Sequence, residues 1–184
     1  LFSSDTAPVL CSLGATCVLC GPKGLRQVPL QKLYRNDGMD FLTKRNDEIL
    51  RALIIPRQAF GLRSVYLKLR RRGSFDFPIL GVAAALGFNS EEICASAKIV
   101  LTAVSSAPVI VDKARELLEG RKITRDVIEA AADAAANVSH PVDNADLDYW
   151  YRKRMTTVYV KRALAQLAGI ELEAERAGKK PIRV

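Results

Sequence analysis

Tyr66 and Lys68 share one side of a strictly alternating stretch. Val65, Leu67 and Leu69 point one way, and Ser64, Tyr66, Lys68 and Arg70 point the other. That is the period of a half-buried strand with one polar face. Arg71 and Arg72 extend the charge, Gly73 and Ser74 turn the chain, and an almost uncharged run leads from Phe77 to Phe88. A basic strand end against an apolar wall suits an anionic, planar, partly apolar ligand. It equally describes an ordinary solvated strand end.

Other reactive residue types are few. Cys17-x-x-Cys20 has metal or redox spacing. Strand alternation puts those two thiols on opposite faces, however, and a cysteine in a short apolar strand behaves as a small buried hydrophobe. His140, the one histidine, precedes a proline at a predicted helix end, with no Cys or His at ligand spacing, so a zinc site is disfavoured. Asp143, Asp146 and Asp148 cluster at a predicted helix start, where carboxylates complement the dipole. The sequence contains no P-loop, G-x-G-x-x-G or G-x-S-x-G motif. The residues alone describe a binding or scaffolding piece and name no catalytic residue.

The chain has 184 residues, 49% of them hydrophobic and 26% charged, enough for a real core in one domain or two small ones. It opens on Leu1, mid-pattern, so a fragment or a processed chain is expected. Lys and Arg outnumber Asp and Glu by 28 to 20, a net charge of +8, which favours anionic partners. The basic residues are scattered and not interleaved with aromatic ones, so nucleic acid is not an expected partner. No apolar run approaches the roughly 18 residues of a membrane span. Residues 10–20 lack the basic lead of a signal peptide, and the default location is the cytoplasm.

Period and punctuation predict the elements that must position these residues. A short helix over 8–13, capped by Ser4 or Asp5, ends at Gly14. Strands follow at 16–20 and 26–30 around a Gly-Pro-Lys-Gly turn, then at 49–55, where Pro56 stops a β-branched run. The strand at 62–70 precedes a long hairpin, 79–88 with 93–104, with one covered face. In its second arm Ile93, Ala95, Ala97, Ile99, Leu101 and Ala103 share a side. Past Ser105 the period becomes 3.6. One helix starts at Pro108 and ends at Gly120, and a second, capped by Thr124, runs to His140. A third starts near 144–146 and ends about Gly169. Residues 171–184 are expected to form a mobile tail. The class is α+β, with a boundary in 56–61.

The segment YLKLRRRGSFDFPILGVAAAL, residues 66–86, resembles the FAD-binding subunit of the molybdenum hydroxylase family. That family includes xanthine dehydrogenase, aerobic carbon monoxide dehydrogenase and 4-hydroxybenzoyl-CoA reductase. DTAP at 5–8, LGA at 13–15, GPKGLRQVPL at 21–30, DEILRALIIP at 47–56 and the stretches 107–120 and 149–164 follow in matching order. The resemblance implies the end of a PCMH-like FAD-binding domain over residues 1–58. It then implies a CO dehydrogenase flavoprotein C-terminal-like domain over 59–170, an antiparallel sheet covered by three helices. FSSDTAP, LYRNDGMDFL and KLRRRGSFDFP look most like the 4-hydroxybenzoyl-CoA reductase branch, although that branch's inserted four-iron loop is not in this sequence. Nor are the two glycine-rich loops that wrap the FAD pyrophosphate in the family, so the chain is expected to be the C-terminal part of a flavin subunit.

The resemblance carries site roles onto this chain. Asp5 matches an aspartate that contacts FAD; a helix cap is its other reading. Leu50 matches an apolar residue near the flavin ring, or is a core strand residue. Lys68 matches a lysine beside the isoalloxazine, or is a solvated strand lysine. Asp76 lies in a loop, 73–76, near the flavin's exposed edge. The implied function is to help hold FAD as an electron relay. The implied partners are a molybdenum-cofactor subunit and an iron–sulfur subunit. The alternative is a non-catalytic interaction domain docking on an anionic protein through Arg70, Arg71, Arg72, Lys153 and Arg154.

Overall fold

The computed structural model describes residues 2–142 and 147–172. Helix α1 (Thr6–Ser12) leads into strands β1 (Thr16–Gly21) and β2 (Gly24–Pro29), a 3-10 turn (Leu30–Leu33) and β3 (Ile49–Ile54). These strands form a three-stranded antiparallel sheet in the order β2-β1-β3. A second 3-10 turn (Arg57–Gly61) precedes β4 (Arg63–Leu69), β5 (Leu80–Phe88), β6 (Cys94–Thr102) and β7 (Val109–Ile110), an antiparallel sheet in chain order. Helices α2 (Asp112–Leu118), α3 (Arg125–Val138) and α4 (Tyr149–Ala168) follow. The class is α+β, and no helix among the described residues is long and apolar enough to cross a membrane.

The second sheet is covered on both faces, not on one as the alternation of its hairpin predicts. Val82, Ala84, Leu86, Ile99 and Leu101 pack against Ala114, Leu118, Ile128, Ala131, Val160 and Leu164 of the three helices. The opposite face meets α1 and the first sheet, where Ala83 and Val100 join Cys11, Cys17, Leu19, Leu30 and Leu33. Small residues on this face of β5 let the second layer come close. A strand buried on both sides reads as a continuous apolar run, which is what 79–88 is.

Several predicted boundaries move for local reasons. Pro108 does not start a helix: Val109 and Ile110 pair with Leu101 and Val100 as an edge strand, and the helix begins at Asp112. Two β-branched residues beside an open strand edge favour the ladder. In β6, a register shift opposite Gly87 and Phe88 turns Cys94 into the helix-side core and leaves Ala95 exposed. Thr124 caps α3, its hydroxyl accepting from Val127 N at 3.4 Å. Helix α4 is capped by Asp148, whose carboxylate accepts from Tyr151 N at 2.8 Å, and it ends at left-handed Gly169. Asn144, Asp146, Asp143 and the tail from residue 173 lie outside the described residues.

Strand β3 is not a core strand. All six of its residues are exposed, with Ile49 at 74% and Leu50 at 43%. Among the described residues no strand pairs with its outer edge, an apolar edge of a kind that folded proteins usually cover or charge. Immediately before β3, Glu48 is buried and tied to Arg26, whose Nε and Nη2 donate at 2.6 and 2.8 Å, and to Arg45 N at 2.8 Å. The Arg26 hydrogen bonds, then the Arg45 amide, bring the Glu48 carboxyl down to about 2 from an ordinary 4.5. The stability this gives is complete above the ordinary value and is lost as pH falls through the folded one. Urea unfolding of Glu48→Gln, followed over the acid range, should therefore show a shallower loss of stability between those two values than the parent chain. Equal slopes would remove Glu48 as a source of acid sensitivity.

Candidate functional site

Asp5 and Lys68, far apart in sequence, meet. Lys68 Nζ donates to Asp5 Oδ2 at 2.7 Å, and Tyr66 Oη donates to Asp5 Oδ1 at 2.7 Å. The polar face of β4 is thus turned not to bulk water but toward the start of α1. Lys68 retains 17% of its side-chain exposure and Asp5 retains 48%, so the carboxylate forms the open rim of the corner.

Asp5 is free for this because Ser4 caps the helix. Ser4 Oγ accepts from Ala7 N at 3.1 Å, and Asp5 makes no capping bond. Partial burial pushes the Asp5 carboxyl up. Hydrogen bonds from Lys68 and Tyr66, with the charges of Lys68 and Arg70, outweigh this and hold it below the usual range. Burial, then the hydrogen bond to Asp5 and its charge, pushes the Tyr66 phenol up, so it remains a donor. The result is a fixed acceptor-only carboxylate beside an ammonium with two further N–H donors.

Asp76 serves its own loop. It accepts from Arg72 N at 3.0 Å, Phe77 N at 3.0 Å and Arg72 Nη2 at 3.2 Å. The Arg72 guanidinium, then its amide, brings the carboxyl down to about 2. Arg70 Nη1 donates to Ser74 O at 3.0 Å. Two of the three consecutive arginines therefore order the turn. The loop presents Phe75 and Phe77 at 83% and 68% exposure, in edge contact with ring centroids 6.2 Å apart. Leu50 sits on the open edge of the first sheet, paired with Leu19. Cys17 is fully buried and Cys20 exposed, on opposite faces of β1, and all four cysteines are free. Among the described residues no three His, Cys, Asp or Glu side chains come together as metal ligands.

The sequence points to Asp5 and Lys68 but not to what joins them. Tyr66 reads as one more polar-face residue. Gly81, inside an apolar strand, is the available signal, because such a glycine marks a close approach. A Cβ there would stand 2.5 Å from both Tyr66 Oη and Thr102 Cγ2. Gly81→Ala should therefore displace the phenol and release Asp5. Loss of the Tyr66–Asp5 contact in the variant's crystal structure, with the sheet intact, is the expected result.

A family model described as the CO dehydrogenase flavoprotein C-terminal domain matches residues 64–167, more than half of the chain. The chain belongs to this family. The matched residues of the CO dehydrogenase flavoprotein C-terminal domain run from inside β4 to the last turn of α4. The medium chain of carbon monoxide dehydrogenase from Hydrogenophaga pseudoflava is 29% identical over 161 residues, covering 88% of this chain and 55% of that one. A nicotinate dehydrogenase FAD-subunit from Eubacterium barkeri is 24% identical over 169 residues, covering 90% and 56%. Among solved structures, carbon monoxide dehydrogenase from Hydrogenophaga pseudoflava superimposes with a TM-score of 0.82 at 28% identity, over 90% of this chain and 56% of that one. Reconstituted CO dehydrogenase from Oligotropha carboxidovorans gives 0.81 at 28% identity, over 91% and 57%. The chain spans about half the length of the curated relatives it matches.

Proposed function

We propose that this chain forms one wall of an FAD site in the flavin subunit of a cytoplasmic molybdenum-dependent hydroxylase or reductase. The molybdenum cofactor and the iron–sulfur clusters belong to partner subunits. Bound FAD would exchange electrons singly with the clusters and in pairs with an external redox partner. The observation that carries the reading is the corner formed by Asp5, Tyr66 and Lys68. Its donor set fits the group: the carboxylate keeps acceptor positions on both oxygens for ribose-type hydroxyls. The ammonium keeps N–H donors for carbonyl or anionic acceptors. Asp5 orients hydroxyls, and Lys68 supplies positive charge where negative charge would develop. Leu50 and Asp76 are secondary candidates, an apolar wall residue and the organiser of the loop at the open edge. The phosphate grip is assigned to the part of the relatives' length that this chain does not span.

The finer assignment to the 4-hydroxybenzoyl-CoA reductase type rests on FSSDTAP, LYRNDGMDFL and KLRRRGSFDFP alone. In that type the net electron flow runs from the external donor toward the molybdenum centre, opposite to that of a hydroxylase.

Exposed Phe75, Phe77 and Trp150, with Arg70, Arg71, Arg72, Lys153 and Arg154 near them in sequence, favour a second reading, docking on an acidic protein surface. The two readings part on colour. Protein completed with the remainder of its subunit should show the flavin band at about 450 nm after purification or reconstitution with FAD. A colourless protein that takes up no flavin would sink the first reading.

A further inference from the structure

The half-exposed Asp5 carboxylate stands at the end of a segment held by a series of hydrogen bonds. The segment leading into α1 crosses the ends of the second sheet as a strap. Phe2 N donates to Ser105 O at 2.9 Å and Ala103 N donates to Phe2 O at 3.0 Å. Ser3 Oγ donates to Pro78 O at 3.2 Å, and Ser4 N donates to Thr102 Oγ1 at 3.2 Å. Ser4 caps the helix, and Asp5 is left at the end of the strap with its carboxylate unclaimed by backbone. None of these bonds, however, sets the plane of that carboxylate.

That plane is set from β4. Lys68, Gly81 and Thr102 lie in register across β4, β5 and β6. Gly81 leaves the middle of this row empty, and the Tyr66 phenol fills it. The gap has no spare room, since a Cβ at Gly81 would meet Tyr66 Oη and Thr102 Cγ2 at 2.5 Å. Lys68 holds its carboxylate oxygen through a flexible four-carbon stem, a point charge without directional fixing. Tyr66 holds the other through a ring wedged over the glycine, with two side-chain torsions and little freedom in either. Both protein donors come from β4, and Asp5 keeps 48% of its side-chain exposure, which leaves acceptor positions open to a ligand.

We infer that Tyr66, seated in the gap at Gly81, is a positioning residue that fixes the Asp5 carboxylate plane for hydroxyl donors of the bound dinucleotide. The inference rests on the flavin reading of this corner. Its effect must pass through Asp5, because the phenol's donor is already engaged there. Among the described residues, the groups facing Asp5 are Tyr66 and Lys68, with the charge of Arg70 beyond them. Removing the Tyr66 hydroxyl leaves the carboxylate one hydrogen bond poorer, which makes it easier to protonate.

The test is FAD binding by the complete flavin subunit, read by quenching of flavin fluorescence in the parent, Tyr66→Phe, Asp5→Asn and the double variant. Phenylalanine keeps the ring over Gly81, so folding is preserved. Tyr66→Phe should weaken FAD binding about tenfold, because a carboxylate free to turn forfeits much of one charge-assisted hydrogen bond to the dinucleotide. The double variant should bind no more weakly than Asp5→Asn alone. The acid limb of FAD affinity should move to higher pH in Tyr66→Phe and vanish in both variants lacking the carboxylate. Unchanged affinity in Tyr66→Phe, or a Tyr66→Phe loss that persists undiminished in the Asp5→Asn background, overturns the inference. The flavin reading survives that outcome if Asp5→Asn still weakens binding. A parent subunit that binds no FAD overturns the reading and the inference with it.

Discussion

Arg152→Met should lower the thermal midpoint of unfolding by roughly 10 °C, corresponding to about 4 kcal/mol in a chain of this size. Arg152 is fully buried on the inner face of α4. Its Nε and Nη2 donate to Ile79 O at 3.3 and 3.0 Å, its Nη1 donates to Val142 O at 2.9 Å, and Nη2 also donates to Ala103 O. One guanidinium thus joins the entry of β5, the exit of β6, the approach to α4 and the helix itself. Ala103 adopts φ 64° with its carbonyl turned to Arg152. That left-handed conformation costs an L-residue about 1–2 kcal/mol, which the guanidinium bonds offset. Methionine fills much of the volume but strands the carbonyls, each at about 1–3 kcal/mol when left unsatisfied. Arg152→Lys should recover only part of the loss, because an ammonium cannot present the planar fork. Calorimetry decides the matter: a midpoint within about 2 °C of the parent for Arg152→Met would mean that the guanidinium bonds are dispensable.

Much of this architecture is legible in the sequence where a local period exists. The alternation of Val65, Leu67 and Leu69 places β4, Thr124 caps α3 and Gly169 ends α4, because each signal acts within a few residues. The failures share one cause: tertiary surroundings, not the local period, decide the outcome. Period alone makes Lys68 a solvated strand lysine, since nothing near it in sequence announces that Asp5 will stand opposite. The β-branched run of β3 reads as core although its outer edge is bare. Val109 and Ile110 fall inside the helix expected from Pro108 to Gly120, and the structure makes them a strand edge. The polar face of β4 is the instructive case. Its pattern is right and its environment differs, because α1 arrives from sixty residues upstream to cover it. Gly81 is the residue that could have signalled this, since glycine weakens a strand interior and earns no packing of its own.

Lys68→Ala should lower the reduction potential of flavin bound by the complete subunit. The ammonium is paired with Asp5 at 2.7 Å, so its removal leaves an uncompensated carboxylate at the same corner. Reduction adds negative charge to the ring, and one unit of unfavourable charge at about 8 Å and an effective dielectric of 20 opposes it by about 2 kcal/mol. For a two-electron couple that is roughly 45 mV. The half-exposed rim admits water and salt, which screens the effect to roughly 20–40 mV. Asp5→Asn, which removes the opposite charge, should move the potential the other way. The measurement is a reductive titration of the flavin in the parent subunit and in Lys68→Ala against a reference dye. A potential lowered in Lys68→Ala places this corner at the flavin, and identical potentials would contradict the account.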